Sequence, residues 1–437
     1  MFKANQETAF VPTKVVSIKP EAQVDYNPTT QNQVRWLIPQ YIGFYDPRGT
    51  MLKYTIQMSG RGHAKPDPRG GVHSLWRDVR IRDGTASTEL EMIQDYNVLT
   101  SQWWDYTANE SINHKRDLFE GRSANQDIDQ QLYFGPSGDW SAGAVTTTFE
   151  RKKLEIEQPI FSGILGGDKV FPVVATKGLR FEMTLDQLQR SLVQNTQLGG
   201  VNRDATPVNN NPFDIGDVIY AADEADGANQ EQLGVITQFT KDGDGDLVIV
   251  YIPNRAIGAG LANNHPVGSR IYIHEQDRIN GITLANVPAA NAAIAAQKIS
   301  YTISDMELLL LQVQPPAGYV ESLMKQGMSE KGLSMDYRSW TLYRFNLTTT
   351  AGLTNQLIPA TQQRAYSILS VPLDIGIQND IRVSSFRGIT DGNQNYQYVF
   401  GGSLIPDRPI SLVRYTQTPA RTDALHLVEL EKSLVNA

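Results

Sequence analysis

The chain has 437 residues, too many for one ordinary domain and enough for about two to four. Its 40% hydrophobic and 20% charged residues are those of a folded protein, not of a disordered tail or a coiled coil. Carboxylates outnumber Lys plus Arg by 47 to 39 (net −8), which argues against a nucleic-acid-coating surface, and the lack of cysteine excludes disulfide scaffolds, structural zinc and thiol catalysis.

In chain order, the opening Met1-Phe2-Lys3-Ala4-Asn5-Gln6 lacks the basic-then-apolar layout of a signal peptide. Strands are expected at 34–44 and 52–58. In the second, Leu52, Tyr54, Ile56 and Met58 alternate with Lys53, Thr55 and Gln57, the period of two that a half-buried strand needs. A helix is expected from Thr88: Thr88-Glu89-Leu90-Glu91 has capping-box spacing, and Leu90, Ile93, Tyr96 and Leu99 follow near helical intervals up to Trp103-Trp104. Strands are also expected at 149–156 and 179–185. Residues 201–280 then change character. A polar entry, Asn209-Asn210-Asn211, precedes Val218-Ile219-Tyr220, Val235-Ile236 and an apolar run over 247–252. Lys241-Asp242-Gly243-Asp244-Gly245-Asp246 is a hairpin-turn signal, so this stretch reads as a small inserted β-module.

Beyond it lie an expected strand at 297–310, a helix at 319–330 after Pro315-Pro316, strands at 340–347, 366–373, 397–401 and 410–415, and an amphipathic helix at 419–434. Widely spaced strands joined by loops suggest β-sandwiches rather than a parallel sheet alternating with helices. The two halves share an order of strands, loop and helix without sharing residue identities, a pattern that suggests duplication. The longest apolar runs, at 308–311 and 292–296, fall far short of a membrane span.

Reactive constellations are scarce. Gly258-Ala259-Gly260 comes nearest to a dinucleotide fingerprint, but Asn263 stands where the third Gly belongs. His63, Asp67 and His73 share one loop but fit no compact ligand spacing. Asp242, Asp244 and Asp246 resemble a calcium loop, yet no Gly fills its sixth position and Pro253 stands where the bidentate Glu belongs. Glu89 with Glu91, or Asp127 with Asp129, reads as surface charge rather than a glycosidase pair. The indoles Trp76, Trp103, Trp104, Trp140 and Trp340 could stack on a sugar, but packing in a sandwich core or subunit contact is the favoured use. Asn109-Glu110-Ser111 and Asn346-Leu347-Thr348 fit the glycosylation triplet, which is common by chance. No catalytic, cofactor-binding or metal-binding residue is assigned.

Six segments in order carry a resemblance: Pro39-Gln40-Tyr41-Ile42-Gly43-Phe44-Tyr45-Asp46, leading into 52–58; Phe171-Pro172-Val173-Val174; residues 178–185; Ile303-Ser304-Asp305-Met306-Glu307-Leu308; residues 366–373; and Gly401-Gly402-Ser403-Leu404-Ile405-Pro406-Asp407-Arg408-Pro409-Ile410. Together they resemble the double jelly-roll major capsid proteins of virophages, polinton-like viruses and larger DNA-virus relatives. The resemblance implies a mainly all-β fold of two jelly-roll sandwiches side by side, with a few short helices. It implies a first roll over 33–312, interrupted by 201–280 as a tower or decoration, and a second over 317–437.

Residues 1–32, with Lys3, Lys14 and Lys19, would be an inner arm tying neighbouring capsomers together. The family further implies a non-enzymatic homotrimer forming pseudo-hexagonal capsomers, partnered by neighbouring capsomers and by minor capsid and penton proteins. It implies no cofactor and no sequence-specific nucleic-acid binding; the protein would be made in the infected host cell and reside in the virion, and membrane contact stays open. Only 121 residues (437 − 317 + 1) remain for the second roll. That roll is abbreviated, completed by another chain, or cut short, and the last is the favoured expectation. The alternatives are a minor capsid, vertex or spike protein, and a carbohydrate-binding or glycoside-cleaving β-sandwich.

Overall fold

The computed structural model describes residues 11–59, 64–107 except 68, 153–194, most of 213–287, 300–327 except 317, 335–346, 355–359, 365–373, 385–386 and 395–411. Its strands in chain order are β1 (Val11–Ile18), β2 (Gln33–Ile38), β3 (Phe44–Ser59), β4 (Ala64–Pro66), β5 (Trp76–Asp83), β6 (Glu89–Ile93), β7 (Lys153–Pro159), β8 (Phe171–Pro172), β9 (Leu179–Leu185) and β10 (Leu192–Gln194). They continue with β11 (Val218–Ala222), β12 (Glu231–Lys241), β13 (Leu247–Pro253), β14 (Arg270–Ile273), β15 (Ser300–Gln314), β16 (Asn395–Phe400) and β17 (Ser403–Ser411). Helix α1 (Tyr96–Thr107) follows β6, and α2 (Tyr319–Gly327) follows β15.

Eight strands form a two-sheet sandwich. One sheet runs β1-β15-β3-β7 and the other β2-β9-β5-β6, with every pair antiparallel. The chain passes repeatedly from one sheet to the other, and the first and last of these eight strands, β1 and β15, lie side by side. That is jelly-roll connectivity.

The alternation read from sequence explains the core. On β2 the inward residues Val34, Trp36 and Ile38 are fully buried, and on β3 so are Leu52, Tyr54 and Ile56. They share one apolar cluster with Val79, Ile81, Phe181, Met183, Tyr301 and Leu308. Trp36 and Phe181 are cross-strand partners and stack at 5.0 Å. Tyr54 meets Trp76 edge to face at 6.0 Å across the sandwich. The polar ends of both rings are satisfied by one acceptor: the Tyr54 hydroxyl and the Trp76 indole N–H donate to Gln158 Oε1 at 2.6 and 3.2 Å. Burial without those bonds would be costly.

Several elements depart from the sequence reading. Residues 11–18, assigned to an inner arm, form strand β1, because Val16 and Ile18 pack against the core while the backbone pairs with β15 from Val11↔Gln314 to Ile18↔Leu308. The single strand expected over 34–44 is two strands. Pro39 cannot extend the ladder, a 3₁₀ turn spans Gln40–Ile42, and Gly43 takes φ +76°. The helix expected from Thr88 begins only at Tyr96. Glu89–Ile93 instead joins β5 through Ile81↔Glu91 and Val79↔Ile93, with an Arg80–Glu89 ion pair of 3.0 Å on its outer side. Tertiary pairing overrides the local cap signal.

Residues 340–346 and 366–372 contain no regular strand. The strand expected at 397–401 is β16, which forms a hairpin with β17; β17 takes in residues 410–411 of the next expected strand, and 412–415 lie outside the described residues. Its two-residue loop, Gly401-Gly402, takes φ +56° and +85°, the region that tight hairpin turns require. The helix expected at 419–434 lies outside the described residues.

Between β10 and β15 stands a separate four-stranded antiparallel sheet, β13-β12-β11-β14. It has two apolar clusters of its own, one around Phe213, Ile219, Leu233 and Ile273, the other around Val218, Val235, Leu284 and Val287.

Candidate functional site

Buried polar groups are where chemistry would be sought, and in the first roll they bind the protein to itself. Glu91 is buried at 3% exposure on β6. Its carboxylate accepts hydrogen bonds from Ser162 Oγ at 2.5 Å, Gly163 N at 2.8 Å and Ile164 N at 3.3 Å, pinning the turn after β7. Glu89, two residues away, is exposed and paired with Arg80. The two carboxylates therefore have separate partners, one in the core and one at the surface.

A second polar group joins the first roll to downstream chain. Asp95 accepts from Arg344 Nε at 2.7 Å, and Arg190 lies 3.8 Å from Asp95 and 3.3 Å from Asp186. Burial pushes the Asp186 carboxyl above the usual range; the Arg190 guanidinium and hydrogen bonds from Gln187 N–H and Asn97 offset part of this. Tyr337 donates to the Leu90 carbonyl, Gln102 to the Phe386 carbonyl at 2.9 Å, and Ser385 N–H to Asp67 at 3.1 Å. Trp340 packs edge-on against Trp103 at 5.6 Å, beside Phe161. Residues 335–346 are therefore a strap across the α1 end of the roll, held by docking contacts rather than by sheet pairing.

Gly163 marks the closest approach. A Cβ there would lie 1.9 Å from the Arg338 carbonyl oxygen. Gly163→Ala should therefore cost about 1–3 kcal/mol and expose the strap to protease while the roll persists. Thermal melts with limited proteolysis would measure this, and an unchanged cleavage pattern would mean that the strap is not seated there.

The remaining sequence candidates separate. His73 and Asp67 are both fully buried: His73 Nδ1 lies 3.2 Å from the Tyr96 hydroxyl, whereas Asp67 binds backbone amides. His63, Asp127, Asp129, Trp140, Asp242, Asp244, Asp246 and Asn109 lie outside the described residues. Among the described residues no group of three His, Asp or Glu could hold a metal ion, and no helix is long and apolar enough to cross a membrane. Asn263 donates its backbone N–H to Glu231, which also accepts from Ala262, so that loop closes on a carboxylate. Trp76 is core; Trp103 and Trp340 line the strap seam.

What sequence reasoning missed is an apolar surface downstream of the strap. Arg338 lies over the Tyr366 ring at 4.9 Å, and the Ser370 and Tyr398 hydroxyls bond, so the strap leads by contacts to the β16–β17 hairpin. There Val399 is 70% exposed, Phe400 67%, Leu404 50% and Ile405 50%; Leu357, Tyr366 and Ile368 are also exposed. Val399 and Leu404 are cross-strand partners, as are Tyr398 and Ile405, so both faces of the ribbon carry apolar side chains. A two-stranded ribbon is marginal alone, and apolar exposure of this kind marks a contact surface. The signal was present as Tyr398-Val399-Phe400 and Leu404-Ile405, but exposure cannot be read from hydrophobicity.

No family model matches the chain, and no curated protein does. Among solved structures it is similar to the Faustovirus major capsid protein, at 10% identity and TM-score 0.35, over 75% of this chain and 58% of that one. It is similar to PBCV-1 VP54 fitted into a reconstruction of the virophage Sputnik, at 14% identity and TM-score 0.26, over 47% and 39% of the two chains. It is also similar to the major capsid protein of Sulfolobus Turreted Icosahedral Virus, at 12% identity and TM-score 0.24, over 71% and 99%. The chain thus spans under two thirds of the first two.

Proposed function

We propose that this chain is a major capsid protein, a non-enzymatic building block of an icosahedral virus shell. The observation that carries the reading is the eight-stranded roll, β1-β15-β3-β7 on β2-β9-β5-β6, whose chain runs on through a docked strap to β-structure with uncovered apolar side chains. A closed roll is a rigid frame, and its loops and appendages are free to make contacts.

On this reading residues 11–312 belong to the first roll, 201–280 stand out from it as a tower, and 317–437 contribute to a second roll. Three copies form a pseudo-hexagonal capsomer through heterologous contacts, in which each copy offers two different surfaces. Neighbouring capsomers, minor capsid proteins and penton proteins are the further partners, and the genome is not read by sequence. The protein resides in the virion after synthesis in the infected host cell.

Light scattering on the purified chain tests this. A stable species of about 146 kDa, three times 48.6 kDa, is the expected result. A monomer at every concentration overturns the capsomer.

A further inference from the structure

The inserted sheet carries an aromatic group that begins in its packing, where Tyr220 lies against the second apolar cluster, and continues beyond it. Tyr220 on β11 is the register partner of both Gln232 on β12 and Tyr272 on β14, so these three side chains form a row across one face. The Tyr220 and Tyr272 rings stack at 5.8 Å with an interplanar angle of 26°. His274, two residues beyond Tyr272, stands nearly upright to both, at 4.3 Å from Tyr220 and 5.3 Å from Tyr272. The result is a shelf with a wall.

Neither Tyr272 nor His274 belongs to the two apolar clusters that hold the module together, and His274 is exposed. Polar groups border the shelf. The Tyr220 hydroxyl donates to Asp277 at 2.8 Å, Gln232 Nε2 donates to that hydroxyl at 3.3 Å, and Asn254 Nδ2 donates to Gln232 Oε1 at 2.7 Å. The Tyr272 hydroxyl, itself buried, has no hydrogen-bond partner among the described residues.

Half-buried tyrosine rings and an exposed imidazole beside a carboxylate and side-chain amides suit a ligand that has both apolar C–H faces and many hydroxyls. We propose that this shelf is a binding site for a neutral pyranose oligosaccharide. A sugar ring lays its C–H face on the electron-rich face of Tyr272 against the His274 wall, and its hydroxyls reach Asp277 and the Gln232 and Asn254 amides. A cationic ligand would also favour tyrosine faces, but Arg270, on the same strand, places a positive charge close enough to act on the Tyr272 phenol. An anionic glycan would meet Asp277. The site is confined to the inserted sheet, so the proposal does not rest on the capsid reading.

Saturation-transfer NMR on the full chain tests it, with cellotetraose and chitotetraose as neutral probes and sialyllactose and choline as charged ones. Transfer to at least one neutral probe is expected. Tyr272→Ala and His274→Ala should each weaken it by about tenfold, the scale of one good aromatic contact, while Tyr272→Phe keeps it. An unchanged melting temperature in His274→Ala separates loss of the site from loss of the fold. The proposal is overturned if neither neutral probe receives transfer at millimolar concentration, if only choline or sialyllactose does, or if both alanine variants bind as the parent does. The oligomeric state, whatever light scattering gives, does not enter these outcomes.

Discussion

A chain carrying Val399→Asp together with Phe400→Asp is expected to stay at 48.6 kDa under conditions in which the parent assembles. In the isolated chain both side chains stand mostly in solvent, at 70% and 67% exposure, so the exchange should change folding stability by no more than about 0.5 kcal/mol. In an assembly that covers the hairpin, each copy would bury two carboxylates without partners, at several kcal/mol apiece. The two effects differ enough for one experiment to separate them: equal melting temperatures for the two monomers, and loss of the trimer in the variant alone. Assembly of the double variant at parental concentration would place the subunit contact elsewhere.

Glu91→Ala should destabilise the chain by about 3 kcal/mol or more, because three donors then point into a site with no acceptor. Those donors, Ser162 Oγ and the Gly163 and Ile164 amides, sit on the turn that also receives the strap at Gly163. The loss should therefore appear as earlier release of the strap as well as a lower denaturant midpoint. Glu91→Gln keeps one acceptor oxygen and should recover part of the difference. Equal midpoints for parent and alanine variant would mean that the carboxylate does not hold this turn.

The parts of the fold legible in the sequence are those set by period-two alternation over a few residues. Leu52, Tyr54 and Ile56, or Leu179, Phe181, Met183 and Leu185, could be assigned to an inward side because one face of each strand is buried. Pairing between distant segments was not legible. Nothing local in Val11–Ile18 announces a partner at 308–314, and a lysine-bearing stretch near the start reads as easily as an arm.

Thr88-Glu89-Leu90-Glu91 misled for a related reason. Its polar spacing satisfies a helix cap, but Glu91 is an inward residue with three hydrogen bonds waiting for it. The strap forms no strand because its residues dock on the roll singly, Trp340 against Trp103 and Arg344 on Asp95. The aromatic shelf escaped notice because Tyr220 and Tyr272 come together only through the pairing of β11 with β14.

The position of β15 bears on how the polypeptide is made. It sits inside its sheet, between β1 and β3, yet it is the last of the eight strands to leave the ribosome. Until residue 314 has been synthesised, β1 and β3 have no common neighbour, and both present open ladders to solvent. Meanwhile the excursion through 213–287 carries two apolar clusters of its own and can condense first. Closure of the roll is thus a late, long-range step, slow by nature and vulnerable to pairing between nascent neighbours on a polysome.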